Sequence, residues 1–500
     1  ISMKGIIYER NKQEPKAIIE NPKLQDDYKI DSPQNFEEDR PTDVSSTKDM
    51  IGRDSLLLPE ILKVTESYTH ELLETRHKFT PIHVDEIASR VAGFYEKVRK
   101  VIDWKDDNAL RRGAVERILK RVLFPKLSGL DERDIEVTGL AETLTSELIR
   151  GGHLPNDTIP SERIDEVARA LNKYLFFLEH TSSYKLFEVK QKVNFATFIL
   201  EIAACEIEEV LTHPIKEYGL IEAMASILDK RISVYPENSL LPEEKLRYIY
   251  VATIRTLYDL DDNFITYQIL KQKYPNWDAP DKNSLEKNAK NLLTDWKEIQ
   301  ELIENPITRK FNTIADRIDT VFTLLDDMLE NLKDKPNDIE KTLTDKNKLV
   351  KLITKAYEKR HKTLKTRLFR LAVFSTLSVF LSNWFTFYLV EVPLARLFYE
   401  GFDIGAAIVD FSVPTLVMFM LVVIIKPPRE VNKKKVIATT LSFLYKDEKQ
   451  EHYQVRLQEK GSSIFRVLLM SIYIWTIFLV LVGIAFIFYL ANLPLTSVVF

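Results

Sequence analysis

The stretch that decides the fold is "EKRHKTLKTRLFRLAVFSTLSVFLSNW", residues 358–384. It is crowded with positive charge up to Arg370, and no charged side chain follows before Glu391. A helix of about 20 apolar residues covers the hydrocarbon core of a bilayer, which is about 30 Å thick. Residues 371–390 are therefore predicted to form a first transmembrane helix.

Two further apolar stretches follow the first one. Residues 404–425 are predicted to form a second span, although Asp410 and Pro414 interrupt the apolar pattern. Residues 467–490 are predicted to form a third span. After a short turn, residues 495–500 are predicted to begin a fourth span, and we expect the chain to continue beyond them.

The charges that flank the apolar stretches predict their orientation. Residues 346–370 hold ten Lys or Arg and one Glu, the loop 391–403 holds three acids and one Arg, and residues 426–466 are again basic at their start. Basic loops remain on the cytoplasmic side of a membrane. The chain before residue 346 and the segment 426–466 are therefore predicted to be cytoplasmic and the loop 391–403 external, in a bacterial inner or plasma membrane.

Apolar residues recur at helical spacing through residues 346–370, which predicts one amphipathic helix that runs into the first span. We expect its cations to attract anionic lipid headgroups, at about 1 kcal/mol per residue near the surface. The alternative is that these cations only set the orientation of the span. The predicted membrane-surface residues are Lys355, Lys359, Arg360, Lys362, Lys365, Arg367, Arg370, Lys433, Lys434 and Lys435.

The two parts of the chain differ in charge. Residues 346–500 contain 21 Lys and Arg against 10 Asp and Glu, a net charge of +11. The whole chain contains 70 basic and 74 acidic residues, which leaves a net charge of −15 for residues 1–345. Nucleic-acid binding requires clustered Lys and Arg, so the acidic front part argues against a nucleic-acid partner.

The front part is predicted to be all-α. Residues 1–50 lack periodicity and are expected to be a disordered tail. Residues 51–275 show helical periodicity and are predicted to form a cytoplasmic domain, either an irregular bundle or a degenerate α-solenoid. The proline-bearing stretch 273–283 is the predicted boundary, and the long polar helices of 281–345 are predicted to form a stalk. Residues 436–466 suggest a small α/β element.

Two helical patterns resemble metal-binding spacings. His70, Glu74 and His77 lie on one helical face, and Glu74 and His77 match the Glu-x-x-His spacing of di-iron bundles, as do Glu358 and His361. Ligands of that class project into the core, whereas the face of His70 is predicted to point to solvent. We therefore favour a solvated face over a metal site at these residues.

Asp326, Asp327 and Glu330 form a second candidate metal cluster. Acidic helices in an all-α protein resemble those of isoprenoid synthases, but a solvated acidic face is the favoured interpretation. The sequence contains no Walker loop, Rossmann glycine pattern or nucleophile elbow, and only 13 glycines. The single cysteine, Cys205, lies among small apolar neighbours and is predicted to be a buried, inert thiol. We predict no cofactor and favour a protein that is not an enzyme.

Asp410 is the most notable single residue of the predicted spans. Ionisable groups inside a bilayer are costly and are often functional. We favour a position at the outer interface, about 10 Å along the helix from Asp403, over a buried functional acid. Asn383 of the first span is predicted to pair with Asp410 across the helical hairpin.

Four stretches of the sequence carry a resemblance to a known group of proteins. They are "LRRGAVERILKRVLF", "GGHLPNDTIP", "VEVPLARLFYEGF" and "FSVPTLVMFMLVVIIKPP". Together they are similar to a group of uncharacterised bacterial membrane proteins with several spans. The resemblance implies a helical cytoplasmic region before the spans, and it implies no activity.

Three functional hypotheses follow from these observations. The first is a membrane-anchored interaction or scaffold protein that presents its helical part to a cytoplasmic protein partner. The second is a component of a transporter or channel that uses Asp410, in which case the protein would form oligomers. The third is a membrane-bound enzyme in which the acidic helices bind a divalent metal.

Overall fold

The computed structural model describes residues 56–74, 80–84, 107–127, 136–182, 189–258, 260–393, 404–424, 430–457 and 463–490. These ranges are almost entirely helical, which confirms the all-α prediction. The predicted tail 1–50, most of the predicted external loop and residues 495–500 lie outside them. The elements are α1 (Pro59–Glu74), α2 (Asp107–Leu127), α3 (Val137–Arg150), α4 (Arg163–Ser182), α5 (Val189–Thr212), α6 (Ile215–Arg231), β1 (Ile232–Tyr235), α7 (Pro242–Tyr258), α8 (Asp262–Lys273), α9 (Lys282–Glu304), α10 (Pro306–Ala315), α11 (Asp319–Leu332), α12 (Ile339–Thr344), α13 (Lys346–Thr386), α14 (Ile404–Ile424), α15 (Glu430–Leu444), β2 (Tyr453–Arg456) and α16 (Ser463–Leu490).

The core of the helical head is built around α5, which packs on α2, α4 and α8. Ile199, Leu200 and Ile202 of α5 are fully buried. Helices far apart in the sequence also touch, since α1 packs on α6 and α12, and α11 packs on α6, α7 and α13. Each unit of a solenoid contacts only its neighbours, so these long-range contacts favour an irregular bundle over a degenerate α-solenoid.

Helix α13 joins the head to the apolar part of the chain without interruption. It begins after Asp345, whose carboxylate accepts hydrogen bonds from two backbone N–H groups of the first turn. Leu349, Ile353 and Ala356 follow at helical spacing and are buried in the head. From Leu371 onward its large apolar side chains are exposed. One continuous helix therefore runs from the basic segment into the apolar run, as the sequence predicts, and it ends in a π-helical turn over Phe387–Glu391.

The predicted stalk over residues 281–345 is wrong. Helix α9 packs on the head through Trp296, whose ring stacks on Phe198 with 4.7 Å between ring centroids. Helix α11 lies in the core, with Phe322 fully buried. Trp277, in the middle of the predicted boundary, is 1% exposed. These helices are polar on average, but each has one apolar face, and that face is buried in the head rather than exposed on a stalk.

The segment between the second and third apolar stretches is also part of the head. It contains the helix α15 and the strand β2, and β2 pairs in parallel with β1 from the middle of the chain. The backbone N–H of Leu58 donates to the carbonyl oxygen of Leu444 at 2.8 Å, so α1 begins against the end of α15. Phe443 and Val455 are buried in the same core as the earlier helices. The head is thus assembled from two segments of the chain, with apolar helices between them.

The apolar part of the chain begins in the second half of α13. Among the described residues, one helix is long and apolar enough to cross a membrane, and it spans Lys346–Leu389. Ser412–Ile424 and Val467–Gly483 are shorter apolar helical segments. Helix α14 packs on α13, whereas the large apolar side chains of α16 are exposed.

Candidate functional site: the basic junction between the head and the apolar helices

A strongly basic exposed surface lies on α13, before its apolar part. Lys351, Lys355, Lys359 and Lys362, here called the outer lysines, follow one another at spacings of four, four and three residues and are all exposed. At 100° per residue they share one side of the helix, about 130° around from the buried face. None of them makes an ion pair with the part of the chain that the structure describes.

Arg360 points away from the outer lysines and ties α13 to the head. Its guanidinium pairs with both carboxylate oxygens of Asp327 in α11, with Nη2 at 3.1 Å from Oδ1. Nη2 also lies 3.4 Å from the carbonyl oxygen of Thr323. The position of Arg360 on the helix turns it toward α11, and its side chain is 45% exposed beside this ion pair, so a role at lipid headgroups stays a prediction. Asp327 is an ion-pair partner of this arginine rather than a metal ligand.

A second ion pair holds α15 alongside α13. Lys433 Nζ lies 2.7 Å from Glu358 Oε1, and its side chain is 21% exposed. Lys433 is therefore engaged within the protein, whereas Lys434 and Lys435 are exposed. The pair also explains Glu358, the one acid in the basic segment, since it balances a cation of the neighbouring helix.

The basic residues of α13 lie at very different distances from its apolar part. A helix rises 1.5 Å per residue. Measured along the axis from Leu371, Arg370, Arg367 and Lys365 lie within about 9 Å. Lys359 lies at about 18 Å on the same measure. The predicted membrane-surface set therefore divides into a group next to the apolar run and the outer lysines beyond it.

The other two acidic candidates on α11 surround a lysine of α6. Lys216 Nζ lies 2.9 Å from Asp326 Oδ1 and 3.2 Å from Glu330 Oε2. Among the residues that the structure describes, no group of three or more His, Cys, Asp or Glu side chains could hold a metal ion. The cluster is thus an ion-pair network that joins α6 to α11. Glu71 of α1 and Glu217 complete it, and burial, followed by the charge of Glu217, raises the pKa of Glu71 to about 7.

This raised pKa predicts a pH-dependent stability. Between about pH 4.5, the ordinary pKa, and pH 7, the folded state holds more protons on Glu71 than the unfolded state, so stability falls as pH rises. We expect Glu71→Gln to stabilise the protein by about 1 kcal/mol at pH 8 and to have little effect at pH 5, a modest value because solvent screens this part-exposed group. Urea unfolding at both pH values measures the effect. Glu66→Gln, on an exposed position of the same helix, is the control, and an equal effect of both variants would contradict the assignment.

The Glu-x-x-His candidates do not form a metal site among the described residues. His70 Nδ1 lies 3.4 Å from Glu74 Oε2, and both side chains are more than half exposed, so this face is solvated. His77 lies outside the described residues. In the second pair, Glu358 binds Lys433, and the His361 ring stacks on Tyr357 with 6.0 Å between ring centroids.

A buried charged network in the head was missed by the sequence reasoning. Lys173 Nζ lies 2.7 Å from both carboxylate oxygens of Glu206 and donates to the carbonyl oxygen of Trp277 at 2.7 Å. The hydroxyl of Tyr174 and the Nε1–H of Trp277 also donate to Glu206, at 2.7 and 2.9 Å. A signal was available, since Lys173 and Glu206 each interrupt the apolar stripe of an amphipathic helix. The donors and acceptors satisfy one another, which is typical of a structural network rather than a reactive site.

The neighbouring Cys205 is fully enclosed, as the sequence predicts. It is 2% exposed, and burial raises the pKa of its thiol well above the ordinary value. A thiol in this environment stays protonated, and the thiolate is the reactive form. Cys205 is therefore a packing residue.

The apolar part of α13 carries a few polar side chains. Asn383 Nδ2 and Thr376 Oγ1 of α13 are buried and have no hydrogen-bond partner among the residues that the structure describes. The backbone of Asp410 lies in α14, four residues before Pro414, and its side chain is outside the described set. The pairing of Asn383 with Asp410 therefore stays a prediction.

Taken together, the fold and its junction define an all-α protein in which a single helix leads from a multi-segment head into a run long and apolar enough to span a membrane. No family model matches the chain, and no curated protein or solved structure is significantly similar to it.

Proposed function

We propose that this chain is an integral membrane protein that holds a rigid helical head at the cytoplasmic face, where the head docks another protein. The apolar helices over residues 371–390, 404–425 and 467–490 would span the membrane, and the loop 391–403 would be external. In this role the protein is a scaffold, and its surface rather than a reaction centre carries the function.

The observation that carries this proposal is the continuity of α13. Its first turns are buried in the head at Leu349 and Ile353, and the same helix continues into the apolar run from Leu371. A helix of this kind transmits position and orientation, whereas a flexible linker would only tether the head. The return of α15 and β2 to the head core adds a second connection from the apolar helices.

The charged residues that could have supported an enzyme favour a scaffold instead. Asp326 and Glu330 pair with Lys216, and Asp327 pairs with Arg360. Glu206 is saturated by a lysine, a tyrosine and a tryptophan. Ion-pair networks of this kind fix the packing of helices. The acids of α11 proposed as metal ligands are therefore engaged in ion pairs, which weakens the metal-enzyme alternative.

Cysteine labelling in intact cells tests the predicted orientation. We expect Lys297→Cys, on the exposed side of α9, to react with a membrane-impermeant maleimide only after lysis. Ala395→Cys, in the loop 391–403, should react in intact cells. The parent chain is the matched control, because its only cysteine is buried and should react only after denaturation.

Two results would contradict the proposal. Labelling of Lys297→Cys in intact cells would place the head outside the cell. Release of the full chain from membranes by alkaline carbonate would show that the apolar helices do not span the bilayer.

A further inference from the structure

We propose that the outer lysines of α13 are a docking surface for an acidic segment of another protein. This inference deepens the proposed scaffold function and rests on it, because it names the surface that would dock the partner. The four lysines extend over about 17 Å of helix, and Glu358, the one acid on that side of α13, pairs with Lys433 of α15.

The arrangement is unfavourable for the isolated helix, which suggests a partner. Like charges three or four residues apart on a helix repel by about 0.2–0.5 kcal/mol per pair. Lys433 and Arg360 show that acids of this protein neutralise other cations of the same region. The outer lysines receive no such partner from the described chain, so an external anion would relieve their repulsion.

Lipid headgroups are too far away to be that anion. The headgroup layer extends about 6 Å beyond the hydrocarbon core, and the Debye length at physiological salt is about 8 Å. Measured from Leu371, Lys362 lies at about 14 Å along the helix, Lys355 at about 24 Å and Lys351 at about 30 Å. Lys362 is therefore at the limit of lipid attraction, and Lys355 and Lys351 are well beyond it. Arg367 and Arg370 remain close enough to serve the membrane surface.

Charge density favours an acidic protein segment over a nucleic acid. Duplex DNA carries one charge per about 1.7 Å, so 17 Å of it would present about ten phosphates to four lysines. The front of the chain, with a net charge of −15 over residues 1–345, would repel the remaining phosphates. A helix with glutamates at intervals of three and four residues presents about the same number of charges as the lysine stripe, at the same spacing.

The test uses the full chain in nanodiscs of zwitterionic lipid. The probe is a fluorescein-labelled 20-residue peptide with glutamates at intervals of three and four residues, and fluorescence anisotropy measures its binding. We expect K351Q/K355Q/K359Q/K362Q to bind the peptide at least tenfold more weakly than the parent chain. The matched control is K282Q/K287Q/K297Q/K341Q, which removes four exposed lysines of α9 and α12 and should change the affinity less than twofold.

Each other outcome would overturn the inference. Equal binding by the two quadruple variants would show that the outer lysines are an ordinary solvated face. Tighter binding of a 12-nucleotide single-stranded RNA, lost in the same variant, would point to a nucleic acid. Loss of peptide binding in nanodiscs with anionic lipid would assign the lysines to headgroups. The assay does not depend on which side of a membrane the head occupies, so its failure is separate from a failure of the labelling experiment.

Discussion

Replacing Lys173 with methionine is expected to lower the free energy of unfolding by about 3–5 kcal/mol, because it leaves the Glu206 carboxylate buried without its cation. Both side chains are about 4% exposed, so water cannot take over the role of the lysine. Burial already raises the pKa of Glu206, and the Lys173 ammonium opposes that shift. Urea unfolding of the full chain, followed by tryptophan fluorescence, measures the change, since Trp277 belongs to the same network.

The double variant Lys173→Met with Glu206→Gln is the matched control. Glutamine keeps an oxygen that accepts from Tyr174 and Trp277 but carries no charge. We expect it to recover at least half of the lost stability, because the penalty comes mainly from an unpaired buried charge. A double variant as unstable as Lys173→Met would show that packing around the lysine stem, rather than charge, sets the cost.

Replacing Phe443 with alanine is expected to destabilise the head by about 3–5 kcal/mol, although this residue follows the second apolar stretch. Its ring is fully buried and lies against Phe322 of α11, with 6.2 Å between ring centroids. The guanidinium of Arg231, at the end of α6, lies 4.0 Å from the centre of the same ring, and donates to the carbonyl oxygen of Ser442. Truncation would remove both contacts and leave a cavity between α11, α6 and α15.

Phe419→Ala supplies the control for that measurement. Phe419 lies in α14 and is 56% exposed, so its loss leaves no cavity in the head. Unfolding of the head, followed by tryptophan fluorescence, should respond to Phe443→Ala and not to Phe419→Ala. If Phe443→Ala left the unfolding midpoint unchanged, the segment 430–457 would be an appendage rather than part of the core.

A consequence of this arrangement is that the head cannot be isolated as one continuous piece. A fragment of residues 51–345 would lack Leu349 and Ile353 of α13 and would lack Phe443 and Val455, all of which are buried in the head. The fragment would lose the burial of these side chains, and each large buried apolar side chain stabilises the folded state by about 1.5–3 kcal/mol. Partner searches therefore require the full chain.

The sequence by itself determined the local features of the protein. Apolar residues at helical spacing in α1 and α13 predicted helices, because that periodicity depends only on residues within a few turns. The step from Arg370 to Leu371 likewise predicted the passage from charged helix to apolar helix, since both lie on one continuous stretch. The buried state of Cys205 followed from its immediate neighbours. The number of spans and their orientation, together with the resemblance to bacterial membrane proteins, stay predictions.

Only the tertiary structure decided which charges and faces meet. Arg360 and Lys359 are adjacent in a basic run, yet Arg360 pairs with Asp327 of α11 and Lys359 has no ion pair among the described residues, because 100° of helix rotation separates them. In the sequence, Lys173 and Glu206 each interrupt the apolar stripe of a separate helix. The packing of α4 on α5 brings the two side chains together. The partners in these contacts lie about 30 residues apart. Helical periodicity fixes the direction of a side chain on its own helix, but packing between distant elements determines what that side chain touches.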